Sequence, residues 1–65
     1  MKDAYAEIAR QEIQVMKALQ ERPRTRRELE EIVGAEKRRI EYVVRGLREV
    51  GFVYRVPGTH LLALD

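Results

Sequence analysis

The chain has 65 residues, 45% hydrophobic and 37% charged, with a net charge of +2. A chain of this length makes one domain, residues 1–65, that buries only about 60% of the surface it exposes when unfolded, so its core is small. Its apolar content excludes a disordered polymer, the lack of cysteine excludes disulfides and thiolate metal centres, and no run of about 18 apolar residues exists to span a membrane.

Met1-Lys2-Asp3-Ala4-Tyr5 leads directly into an amphipathic pattern instead of a signal peptide, so a cytoplasmic location is expected. From about Asp3 to Gln20, Tyr5, Ile8, Ala9, Val15, Met16 and Leu19 recur at helical spacing and predict a first helix. Pro23 lacks an amide hydrogen and disfavours helix in the residue before it, so the helix breaks there. Thr25-Arg26-Arg27-Glu28 has the form of a capping box and predicts the start of a second helix. Leu29, Ile32 and Val33 lie on one face of that helix, and Gly34 ends it.

A third helix is predicted from about Glu36 to Val50, with Ile40, Val43, Val44, Leu47 and Val50 inside an arc of roughly 120°. Arg38, Glu41, Tyr42, Arg45 and Glu49 occupy its opposite face, with Lys37 and Arg48 on one flank. Gly46, inside this helix, costs about 1 kcal/mol relative to alanine and marks either simple tolerance or the close approach of another backbone. Gly51 ends the helix. Phe52-Val53-Tyr54-Arg55-Val56 and Leu61-Leu62-Ala63-Leu64 then read as two strands around the turn Pro57-Gly58-Thr59-His60. His60 is the only histidine and is expected to be a turn residue.

The order of helix, short capped helix, glycine-containing turn, basic helix, then glycine and a hairpin resembles that of the winged helix-turn-helix DNA-binding proteins. Thr25-Arg26-Arg27-Glu28-Leu29-Glu30-Glu31-Ile32-Val33-Gly34-Ala35 looks like the capped second helix and turn of that superfamily. Arg45-Gly46-Leu47-Arg48-Glu49-Val50-Gly51-Phe52-Val53 is similar to its habitual ending, Leu-x-x-x-Gly-Leu-Val. The resemblance covers nearly the whole chain. It implies a mainly α fold with a small β-hairpin: three helices plus a C-terminal two-stranded wing.

Charge is uneven. Residues 1–21 hold three bases and four acids, residues 22–55 ten bases and six acids, and residues 56–65 one acid. A basic middle segment is what a nucleic-acid face looks like. By the resemblance, the third helix enters the major groove, and Lys37, Arg38, Glu41, Tyr42 and Arg45 hold positions that commonly face DNA. Arg38 or Arg45 can fork onto guanine, Glu41 can accept from the cytosine amino group, and Tyr42 can reach phosphate or a thymine methyl. The plainer alternative is a solvated face in which Glu41 and Arg45 form an i, i+4 pair. Arg22, Arg24, Arg26 and Arg27 cluster at the start of the second helix, where exposed amides also favour anions. They are candidate phosphate clamps, or else a basic loop in which Arg26 or Arg27 pairs with Glu30 or Glu31. Arg55, near the hairpin turn, is placed by the resemblance at the DNA backbone or minor groove.

The apolar arc of the first helix spans roughly 160°, wider than the usual minimum, and contains Glu12. Tyr5, Ile8, Glu12 and Val15 are therefore candidates for a homodimer interface, with the carboxylate meeting an arginine of the partner. The expected function is sequence-specific binding of double-stranded DNA, as a small transcriptional regulator or a phage or plasmid control protein. The alternative is a winged-helix protein-interaction module, such as a phage protein that targets host machinery. Without serine or cysteine, with one histidine and no glycine-rich phosphate loop, an enzyme, a metal site and a cofactor are not expected. Nor is a small-molecule effector, because no ligand-binding domain accompanies the pattern.

Overall fold

In the computed structural model, which describes residues 4–65, three helices precede a small antiparallel sheet. α1 spans Ala4–Glu21, β1 Arg24–Thr25, α2 Arg26–Val33, α3 Lys37–Glu49, β2 Val53–Arg55 and β3 Leu61–Leu64. Asp3, the expected first residue of the first helix, lies outside the described residues. Among the described residues, no helix is long and apolar enough to cross a membrane.

Local chemistry accounts for the boundaries. The Thr25 hydroxyl accepts from the Glu28 amide at 3.2 Å while the Glu28 carboxylate accepts from the Thr25 amide at 2.8 Å, so the predicted capping box is present. Gly34 closes α2 at φ 77°, its amide donating to the Glu30 carbonyl at 2.8 Å, a left-handed conformation that costs a side-chain-bearing residue energy. The hairpin turns through Val56-Pro57-Gly58-Thr59, with the Thr59 amide donating to the Val56 carbonyl at 3.1 Å. Proline at the second position and Gly58 at φ 76° at the third make it a type II turn. His60 is exposed just after it, as a turn residue.

Leu29, Ile40, Val15 and Val43 are the largest completely buried side chains, so all three helices converge on one centre. Ala18, Leu19, Val44 and Leu47 widen it, and Val53 and Leu62 close it from the sheet side. The sheet is attached by strand parity: Val53 stands opposite Leu64 and Arg55 opposite Leu62, so these four project to one side and Tyr54 and Ala63 to the other.

Several sequence expectations change. The sheet has three strands, in the order β1-β3-β2, because Arg24 and Thr25 pair with Leu62 and Leu61 on the edge of β3 that a two-stranded wing would leave open. Val15 is wholly enclosed by the core, so it is not an interface residue. Ile32 is half exposed, since α2 turns only Leu29 fully inward and leaves Ile32 at the α1 rim beside Lys17 and Glu21. Val50, predicted inside the buried stripe of the third helix, is 63% exposed because α3 stops at Glu49 and the chain turns outward at Gly51. Tyr5 and Ala9 are also exposed, so the buried arc of α1 is narrower than its apolar arc.

Candidate nucleic-acid interface

Between the first turn of α2, the outer face of α3 and the hairpin lies a concavity of about 750 Å³. Arg26 and Arg27 enter it from α2, Glu41 and Arg48 from α3, and Arg55 and His60 from the hairpin. The position of Arg55 follows from parity: two residues beyond Val53, it projects to the same side as that core residue but past the edge of the core. Arg45 adjoins this space along α3, where a neighbouring depression of about 580 Å³ is bounded by Arg26, Arg45, Arg48 and Glu49.

Arg26 is committed inside the protein. Its guanidinium contacts Glu30 and Glu41, each at 3.3 Å, which ties α2 to the exposed face of α3. Glu41 therefore pairs with Arg26 and not with Arg45, and the alternative that joined Arg26 to Glu30 is present. Arg24 is also committed, through Nε to the Ala18 carbonyl at 3.3 Å and through its terminal nitrogen to Glu21 at 2.6 Å. Its side chain is only 13% exposed and folds against the end of α1, away from the concavity, so its assignment as a phosphate clamp is corrected to an anchor of β1. Arg39 is a second anchor, holding Glu7 and Gln11 of α1 at 3.0 Å each. Arg22 faces Glu28 at 3.5 Å. The hydrogen bond from the Thr25 amide outweighs desolvation and, with a lesser contribution from the Arg22 charge, holds the Glu28 carboxyl below the usual carboxylate range.

What remains is a set of exposed cations with no ion pair among the described residues: Arg10 and Lys17 on α1, and Arg27, Lys37, Arg38, Arg45, Arg48 and Arg55 on α2, α3 and β2. Of the five expected reader residues, Lys37 is exposed at the first residue of α3 and bounds neither depression, and the other four divide along the helix. Glu41 and Arg45 face the hairpin side, while Arg38 and Tyr42 lie beside Glu7 and Gln11 of α1. Arg48 and His60 were outside the expected site and stand in it. The signal for Arg48 was present in the helical period, seven residues after Glu41; nothing local marks His60, which arrives through the fold of the hairpin. Comparison of the chain with protein-family models, with curated proteins and with solved structures finds no match in any of the three.

Proposed function

We propose that the chain is a winged helix-turn-helix domain that binds double-stranded DNA, as a small transcriptional regulator working in the cytoplasm. The observation that carries this reading is the convergence of Arg27, Arg48 and Arg55 on one concave side, from three separate elements and without internal counter-ions. Self-contained folding gives no reason to gather like charges there, whereas a polyanion neutralises them together. The order of helix, capped helix, turn, basic helix and hairpin supports the same reading. In it, α3 lies in the major groove with Lys37, Arg38, Tyr42 and Arg45 toward base edges, Arg27 and Arg48 hold phosphates, and Arg55 reaches past the groove wall.

The test is titration of labelled duplex DNA at several salt concentrations. Neutralising about four phosphates gives a slope near −3.6 in log affinity against log salt. Affinity that does not change with salt, or no binding at low ionic strength, overturns the reading.

The second reading, a protein-interaction module, rests on the exposed aromatic rings of Tyr5, Tyr42 and Phe52 and on the acids Glu36 and Glu49 along α3. A module that binds protein through these rings predicts no binding of the duplex at low ionic strength, so the same titration separates the two.

A further inference from the structure

His60 borders the basic concavity, and neither the fold nor the roles of Arg27, Arg48 and Arg55 make use of its ring. The hairpin fixes where it stands. The Thr59 hydroxyl donates to the Val56 carbonyl at 2.8 Å and accepts from the Leu61 amide at 3.0 Å, a bond that spans residue 60 and ties both its neighbours to the turn. The His60 side chain itself is exposed and has no hydrogen bond or ion pair among the described residues. Around the same space stand Arg26 and Arg27 from α2, Glu41 and Arg48 from α3, and Arg55 from β2, while β1 and β3 contribute the uncharged Thr25 and Leu62. Glu41, the one carboxylate among them, meets Arg26 at 3.3 Å. The lining therefore offers a protonated imidazole several arginines and no unpaired acid.

Given the DNA reading, on which this depends, we infer that His60 is a further phosphate-binding group of the concavity and that it binds as the imidazolium, so that duplex DNA takes up a proton as it docks. Imidazole is the side chain whose charge changes between about pH 5 and pH 8, and an opposite charge within about 4–6 Å favours its charged form. A phosphate brings that charge where the protein brings none, and both ring nitrogens of the imidazolium donate hydrogen bonds to it. The same phosphate backbone neutralises the neighbouring arginines and so removes the repulsion that opposes the proton. Proton uptake and affinity are linked, so affinity rises as pH falls through the range in which the bound protein holds the proton and the free protein does not. Arginine at this position would carry its charge at every pH, whereas histidine makes the affinity of the site depend on pH near neutrality.

Titration of labelled duplex DNA with the intact chain between about pH 8 and about pH 5.5, above the ordinary carboxylate range, tests this on the wild type, His60→Gln and His60→Lys. His60 is exposed, so neither substitution removes a core contact. The wild type is expected to gain several-fold in affinity toward the acid end, approaching the roughly tenfold that one pKa unit between free and bound protein allows. Its salt slope is expected to steepen by about 0.9 over the same range, the signature of one added phosphate contact. His60→Gln is expected to keep the wild-type affinity and slope of the alkaline end throughout. His60→Lys, charged across the whole range, is expected to keep those of the acid end. Salt-dependent binding that does not change with pH in the wild type, or a pH dependence that His60→Gln retains, overturns the inference and leaves the DNA reading standing. No duplex binding at low ionic strength at either end of the range overturns both.

Discussion

The guanidinium of Arg26 meets the Glu41 carboxylate at 3.3 Å, joining the first turn of α2 to the outward face of α3. The pair bridges the two helices at their solvent side and also cancels one positive charge in the basic concavity. Both side chains are partly solvated, so the pair is worth well under 1 kcal/mol to the fold. Glu41→Gln is therefore expected to leave urea denaturation nearly unchanged. It also frees Arg26 from one of its two carboxylates and leaves only Glu30, so under the DNA reading the salt slope steepens by at most about 0.9 and low-salt affinity rises. A weaker, flatter response assigns Glu41 a direct role on a base instead.

The Thr25–Glu28 capping box connects stability to pH. The Glu28 carboxyl is held below the usual carboxylate range in the folded chain, so on acidification the unfolded chain takes up its proton first. The contribution is present in full above the ordinary glutamate pKa and is lost as pH falls through the lower folded value. Urea denaturation across the acid range is expected to show this loss in the wild type and a shallower one in Glu28→Gln. Thr25→Ala removes the other half of the box and is expected to cost about 1 kcal/mol at neutral pH.

Much of this architecture is legible in the sequence where a signal is local. The capping box, the Gly34 stop and the Ile40–Val43–Val44–Leu47 stripe depend on residues within a few positions of one another, and each is present as read. β1 is different: two residues, one of them charged, form a strand only because β3, more than thirty positions later, offers an open edge. Arg24 is misread for the same reason. Its sequence neighbours are other arginines, whereas its partners Ala18 and Glu21 become adjacent only when the chain doubles back at Pro23. The site is less legible than the fold, because which arginines stay unpaired depends on side chains contributed by other elements.

Leu29 and Ile32 share a helical face by period but not by burial, which separates packing from pattern. Leu29 is completely enclosed, so Leu29→Ala leaves a cavity and is expected to cost about 2–5 kcal/mol, a large share of the stability of so small a domain. Ile32 is 48% exposed, so Ile32→Ala removes fewer contacts and opens no cavity, and about 1 kcal/mol or less is expected. Chemical denaturation of the two variants side by side measures the difference. Equal losses show that the apolar period of α2, rather than its depth, governs the core.

Arg24 and Arg48 test the assignment of the interface most directly, because the sequence favours the first and the structure the second. Arg24 is nearly covered and donates to the Ala18 carbonyl at the end of α1, so Arg24→Ala leaves that acceptor without this donor and loosens β1 from the helix. The expected result is a loss of about 1–3 kcal/mol in stability with an unchanged salt slope of duplex binding. Arg48 is exposed, faces the concavity with Arg27 and Arg55, and has no ion pair among the described residues. Arg48→Ala is expected to alter stability by about 0.5 kcal/mol at most, to weaken binding to duplexes of any sequence alike, and to reduce the salt slope by about 0.9. Thermal melts and salt titrations on both proteins read the two effects separately. Should Arg24→Ala flatten the slope while Arg48→Ala does not, the polyanion lies on the α1 side of the molecule, and the concavity between α2, α3 and the hairpin is not where it binds.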